Sequence, residues 1–146
     1  LQAALPPTLA GRVVRCPGDD ANVARADIVV TTTPAGTPLF RAEALRDDAH
    51  VVAIGSATPV MHEVPAAAFL RSQVWVDTPQ ALHEAGDCLR AVEAGWRADA
   101  LAGDLFDLLG GAPPRAAPRT LFKSVGHAAQ DLAILIALWR RLSGEA

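Results

Sequence analysis

Three short runs in this sequence place hydroxyls and glycines where a β-strand should end. Thr31-Thr32-Thr33-Pro34 follows the β-branched run Ile28-Val29-Val30, Gly55-Ser56-Ala57-Thr58-Pro59 follows His50 to Ile54, and Asp77-Thr78 follows Gln73 to Val76. In open parallel sheets ligands collect at the carboxyl ends of strands. Gly55 would let a flat ring or a phosphate approach the backbone closely, and the threonine hydroxyls can hydrogen-bond a ribose or a carboxamide. The same residue types also serve simply to stop a strand and turn the chain, and spacing alone does not choose between the two. A fourth run, Phe122-Lys123-Ser124-Val125-Gly126, reads as the opening of a long helix. Free N–H groups and the positive end of the helix dipole would suit an anion or an amide oxygen there. Lys123 and Ser124 would add donors, unless Ser124 is only a cap.

Other reactive types point less far. His83 and Asp87 are four apart on an expected helix, the spacing of a metal pair, but no second pair accompanies them, so a solvated helix face and no metal are expected. His50, His62 and His127 are isolated, and no Ser-His-Asp order or nucleophile elbow occurs. Cys16 and Cys88 form no C-x-x-C pair and read as two reduced thiols of a cytosolic protein. Gly86, inside an expected helix at a cost of about 1 kcal/mol, marks close packing or a ligand. Trp75 and Trp139 read as packing residues.

The elements that must position these groups follow from periodicity. Arg12–Cys16 reads as a short strand, and Asp19 or Asp20 can cap a short helix reaching Arg25. Asp27–Thr33 is β-branched almost throughout and shows no apolar/polar alternation, the mark of a strand buried on both faces of a parallel sheet. A short helix over Phe40–Arg46, a strand over His50–Ile54, a helix over Val64–Arg71, a strand over Gln73–Asp77 and a helix over Pro79–Glu93 follow. Such alternation demands right-handed crossovers and a parallel sheet, so the class is α/β, doubly wound. Beyond it, Trp96–Leu109 reads as helix, Gly110–Arg119 as a Gly/Pro-rich loop and Lys123–Leu142 as a long helix. Leu132–Trp139 is apolar nearly all round and should be buried by the body of the protein or by a second subunit.

The composition closes off several classes. The 146 residues fit one domain, and the formal charge of -3 offers no basic footprint for nucleic acid. Aromatic residues make up only 5%, too few for a base-stacking platform. The longest apolar run, Leu132–Trp139, is far short of the ~20 residues a membrane span needs, and Leu1–Ala10 lacks the form of a signal peptide. The G-x-G-x-x-G turn that normally opens a doubly wound nucleotide fold is missing, and Leu1–Leu5 reads as a helix end stopped by Pro6-Pro7. The sequence therefore reads as the later part of a longer chain, with a first strand and phosphate loop upstream.

Four segments in order then resemble one family. They are Ala26 to Pro34 (ADIVVTTTP), His50 to Pro59 (HVVAIGSATP), Val76-Asp77 with Glu84 to Asp87 (EAGD), and Leu121 to Gly126 (LFKSVG) with Asp131-Leu132. Together they resemble the ornithine cyclodeaminase and mu-crystallin family over residues 12 to 142. The resemblance implies a partial Rossmann domain over residues 1–109, for NAD or NADP. Residues 110–146 would be a loop and helix returning to a substrate and dimerisation domain. It implies a homodimer acting on a small cyclic imino acid or amino acid, and the two reduced thiols read above make the expected location cytoplasmic. Carried over, cofactor contacts fall at Thr31 or Thr33, at Ile54, Gly55 and Ser56, and at Ser124. Substrate contacts fall at Thr58, Glu84 and Val125. Two positions depart from the cyclodeaminases: Ala57 stands where they carry the proton-transferring aspartate, and Met61 where they carry a lysine. A methyl group cannot move a proton, and ketimine reductases of the family likewise lack that aspartate. The catalytic residue is thus unassigned. The expected reaction is reduction of Δ1-pyrroline-2-carboxylate or Δ1-piperideine-2-carboxylate to proline or pipecolate. Ornithine cyclodeamination is one alternative. The other is a non-catalytic binding protein of mu-crystallin type, or a truncated remnant. The family's carboxylate-holding Arg and Lys lie in its N-terminal part, so residues 1 to 146 alone are expected to be inactive.

Overall fold

The computed structural model describes residues 12–111 and 118–144. The helix end expected over Leu1–Leu5 and most of the Gly/Pro-rich loop lie outside the described residues.

Among the described residues five strands form one sheet, all parallel: β1 (Ile28–Thr31), β2 (His50–Ala53), β3 (Gln73–Val76), β4 (Gly103–Asp104) and β5 (Thr120–Lys123). Their spatial order is β1-β2-β5-β3-β4. The last strand in sequence therefore lies at the centre of the sheet. His50 pairs with Thr120, and Thr120 with Gln73. This corrects the expected helix over Lys123–Leu142: residues 120 to 123 are extended, and the final helix is α6, Ala128–Ser143. The cause is alternation. Leu121 and Lys123 point into the core with no exposure, while Thr120 and Phe122 face the other side. A lysine at a buried strand position is hidden from any hydrophobic pattern.

One face of the sheet carries the core. Val51, Ala53, Val74, Val76 and Leu121 are fully buried there. They lie beneath α2 (Ala66–Leu70), α3 (Ala81–Glu84) and α4 (Gly86–Glu93). Phe69 of α2 meets Trp96 edge to face at 5.7 Å, a geometry that adds to plain area burial. The opposite face is only partly covered. β1 is an edge strand, with Ile28 62% and Val30 56% exposed. The expectation of burial on both faces is not met there by the described residues, which cover this strand from one side.

Several elements are shorter than expected. Arg12–Cys16 is irregular, whereas Asp19 does cap α1 (Asp20–Val23) through Asn22 N–H at 2.9 Å. Phe40–Arg46 holds only a 3-10 turn, Ala42–Ala44. The Pro79–Glu93 helix is broken at Ala85, whose ψ of 121° is extended. Trp96–Leu109 holds a 3-10 turn, β4 and then α5 (Leu105–Leu109), started by a capping box between Asp104 and Asp107. Gly103, at φ +155°, takes backbone geometry that a helix cannot continue through. Along α6, Leu132, Ile134, Leu135, Ile136, Leu138 and Trp139 are all exposed, so the expected burial is not supplied by the described residues. None of the described helices is long and apolar enough to cross a membrane.

Burial pushes the Cys88 thiol up to about 12, and Cys16 is exposed. Because the thiolate is the reactive species, brief alkylation of the native protein should label the peptide bearing Cys16 and spare the one bearing Cys88. Peptide mass spectrometry would read the difference, and denaturant should abolish it. Equal labelling under native conditions would contradict the packing described.

Candidate functional site

Because β5 lies between β2 and β3, the carboxyl ends of β1, β2, β5 and β3 stand side by side along one edge. Backbone bonds continue past the strands: Ile54 N–H to Thr31 O at 2.9 Å, Ser124 N–H to Ala53 O at 2.9 Å and Asp77 N–H to Lys123 O at 3.0 Å. Thr31, Thr33, Ile54, Gly55, Ser56 and Ser124 thus belong to one edge.

Two buried carboxylates organise it. Glu63 has no exposed surface. Its Oε2 accepts from Thr31 Oγ1 at 3.1 Å, Gly55 N–H at 2.8 Å and Ser56 N–H at 3.2 Å, and its Oε1 accepts from Thr33 N–H. Asp77, 1% exposed, accepts Thr78 N–H on Oδ1 at 2.8 Å. Its Oδ2 accepts Ser124 Oγ at 2.7 Å, Val125 N–H at 2.9 Å and Gly126 N–H at 2.8 Å. Charge-assisted bonds of this kind contribute more than neutral ones, and they consume the donors of the edge.

A third carboxylate holds Glu63 in place. Asp87 Oδ1 accepts from the backbone N–H groups of Glu63 and Val64 at 2.8 and 2.9 Å. Its Oδ2 lies 3.3 Å from Lys123 Nζ, an ion pair without the alignment of a hydrogen bond, and has no other partner among the described residues. Lys123 Nζ donates to Ala53 O at 3.2 Å. Both side chains are fully buried. Losing either partner would strand a charge in the core, a change that typically costs about 3–5 kcal/mol.

These contacts overturn part of the sequence reading. Phe122–Gly126 opens no helix. The Val125 and Gly126 N–H groups are bound to Asp77, and Lys123 is committed to Asp87. His127, not Ser124, caps α6, its Nδ1 accepting from Ala129 N–H at 3.1 Å. His83 is exposed while Asp87 is buried, because the break at Ala85 separates them, so the solvated-face reading fails for Asp87. No group of three His, Cys, Asp or Glu side chains among the described residues could hold a metal.

The two glycines are required by the protein itself. A Cβ on Gly55 would lie 2.2 Å from Thr33 N, 2.3 Å from Thr33 O and 2.6 Å from Glu63 Oε1. A Cβ on Gly86 would lie 2.1 Å from Met61 O, so Gly86 marks close packing. Its N–H donates to Thr58 O at 3.0 Å, which brings Thr58 beside the α3–α4 break next to Glu84.

Of the expected contact residues, Thr31 and Ser56 are buried and bonded internally, Ser56 Oγ donating to Met61 O at 2.6 Å. Ser124 is buried too, its hydroxyl donating to Asp77; Thr33, Gly55, Thr58 and Val125 are half-buried, as is Ala57 at the position of the family's aspartate, and Ile54 and Glu84 are exposed. Thr58 Oγ1 is buried and has no hydrogen-bond partner among the described residues. Natural proteins rarely leave such a hydroxyl unsatisfied without a reason such as a bound molecule. Sequence reasoning missed Glu63 altogether. The available signal was a lone acid between Met61 and Val64, in a segment otherwise apolar enough to be buried.

The parallel sheet and its polar carboxyl edge define the class: an α/β domain of the dinucleotide-binding type. The ornithine cyclodeaminase/mu-crystallin family model matches residues 8–145, and the chain belongs to that family. It is 44% identical over 108 residues to a Δ1-pyrroline-2-carboxylate/Δ1-piperideine-2-carboxylate reductase of Azospirillum brasilense, covering 73% of this chain and 33% of the relative. A solved structure from Bordetella pertussis, described as a probable ornithine cyclodeaminase, is 37% identical. It superposes with a TM-score of 0.81 over 97% of this chain and 49% of its own. The iminosuccinate reductase of Paracoccus denitrificans, solved with NAD+, is 29% identical with a TM-score of 0.76, over 86% of this chain and 40% of its own. The chain thus spans between a third and a half of the length of these relatives.

If the missing side chain at Gly55 serves the fold, Gly55→Ala should destabilise the full-length protein even without any dinucleotide. Overpacking against fixed backbone predicts a loss of about 2 kcal/mol or more, measurable by denaturant unfolding. A variant of unchanged stability would contradict the close contacts of Gly55 with Thr33 and Glu63.

Proposed function

We propose that the full-length protein is an NAD(P)H-dependent reductase of a cyclic imino acid, Δ1-pyrroline-2-carboxylate or Δ1-piperideine-2-carboxylate, giving L-proline or L-pipecolate. The observation that carries this reading is the chemistry available at the strand ends. Ala57 has nothing to ionise, and Glu63 and Asp77 are enclosed with their oxygens occupied. The strand-end residues themselves therefore supply position and polarity but, among the described residues, no free proton-transfer group; the exposed carboxylate of Glu84 lies off the strands, at the end of α3. Reduction of a preformed iminium suits such a site, because its nitrogen already carries the proton that the product amine keeps.

Bound NAD(P)H would supply a hydride to the imine carbon, the C=N π electrons becoming the nitrogen lone pair and the dinucleotide leaving oxidised. The residues present fit the uncharged end of that cofactor. The backbone N–H groups of Thr33, Gly55, Ser56, Thr78, Val125 and Gly126 are already bound to carboxylates, so this edge cannot cradle a phosphate. Ile54 offers an exposed apolar surface for a ring, and half-buried Thr33 a hydroxyl that accepts Ala35 N–H at 3.3 Å and has its own proton left to donate. The unpartnered Thr58 hydroxyl is assigned to the substrate side, together with Glu84, two residues before the Gly86 whose N–H donates to Thr58 O, and with Val125 just past the end of β5. Neither buried cation near the sheet is free to hold the substrate carboxylate: Lys123 is paired, and Arg119 lies at the amino end of β5, bound to the carbonyls of Leu45 and Arg46. That anchor and the phosphate loop belong to the rest of the protein, which is why residues 1 to 146 alone are read as inactive. A cytoplasmic homodimer completes the reading, with the exposed apolar face of α6 available for cover.

Incubating full-length protein with NADH or NADPH and each cyclic imine should oxidise the nicotinamide and yield one proline or pipecolate per cofactor. Ammonia release from ornithine without imine reduction would replace this reading with cyclodeamination. Tight dinucleotide binding without turnover would replace it with a binding protein.

A further inference from the structure

We infer that Glu63 is a positioning residue for the nicotinamide end of the cofactor, an assignment that rests on the reading above. The β1–β2 ladder ends at the Thr31–Ala53 pair, followed by the bond from Ile54 N–H to Thr31 O. Past that point the two strand ends are joined through the Glu63 carboxylate, which takes Thr31 Oγ1 and Thr33 N–H from one and Gly55 and Ser56 N–H from the other. Its backbone is held as firmly: its N–H donates to Asp87, its carbonyl accepts Leu39 N–H at 2.9 Å, and Asp87 is tied through Lys123 to Ala53 O. One side chain therefore fixes the spacing of the two loops that a flat ring would lie against.

The carboxylate is needed as such. Two oxygens meet four donors, and a glutamine would keep one oxygen and turn its amide N–H groups toward backbone N–H groups.

The test compares full-length wild type, Glu63→Gln and Thr31→Val, measuring Kd for NADPH or NADH, Kd for ADP-ribose (which lacks the nicotinamide), kcat and imine KM. Glu63→Gln should weaken dinucleotide binding at least tenfold and lower kcat at least tenfold. ADP-ribose binding and imine KM should stay within about twofold. Thr31→Val, which removes one inward donor to Glu63, should shift the same two quantities by less. Unchanged dinucleotide binding and kcat in folded Glu63→Gln would overturn the assignment while leaving the reductase reading intact. Parallel loss of ADP-ribose binding would also overturn it, reducing Glu63 to general support of the fold. If Glu63→Gln fails to fold, Thr31→Val decides: wild-type dinucleotide binding and kcat in that variant overturn the assignment. A wild type that binds no dinucleotide would remove both the assignment and the functional reading.

Discussion

A buried carboxylate must be satisfied, and satisfying Glu63 shapes the edge of this sheet. Burying a carboxylate without partners costs far more than one hydrogen bond contributes, so a folded chain must bring donors to it. The donors come from the loops that leave β1 and β2. Gly55 must then be glycine, because Thr33 and the Glu63 carboxylate fill the space where its side chain would stand. Asp77 plays the same part for β3 and β5, gathering Thr78, Ser124, Val125 and Gly126.

The Asp87–Lys123 pair connects this edge to the core. Lys123 is on the central strand and Asp87 opens α4, so the pair ties sheet to helix while Asp87 holds the Glu63 backbone. Buried pairs of this kind give little net stability compared with well-packed apolar residues. Their value here is geometric: they specify one arrangement of β5 and α4, and hence one position for Glu63. The break at Ala85 belongs to the same arrangement, since it lets Gly86 pack against Pro59 and Met61 while α4 begins with Asp87 turned inward.

Much of the fold was legible in the sequence, because β-branched runs and their turns announce themselves. Strands β1, β2 and β3 and the cap at Asp19 lie where periodicity put them. What was illegible at the site has one main cause: charged residues placed inside. Lys123 at a core position disguised β5 as a helix start, and Asp87 looked like a member of a solvated face. Glu63, the residue on which the edge turns, carried no motif that residue-by-residue reasoning had picked out. The edge itself was found, since Thr33, Gly55 and Ser124 do stand on neighbouring strand ends. Its polarity was misjudged, because donors that look free in a sequence were already bound to carboxylates supplied from Glu63 and from Asp77.

The central question is which part of a dinucleotide meets this edge. A crystal structure of the full-length protein with NADPH or NADH is the direct measurement. The nicotinamide ring should lie against Thr33, Ile54 and Gly55, with Glu63 and Asp77 keeping their present partners and the pyrophosphate held elsewhere. Pyrophosphate oxygens accepting from the Gly55, Ser56 or Gly126 N–H groups, with either carboxylate displaced, would contradict it.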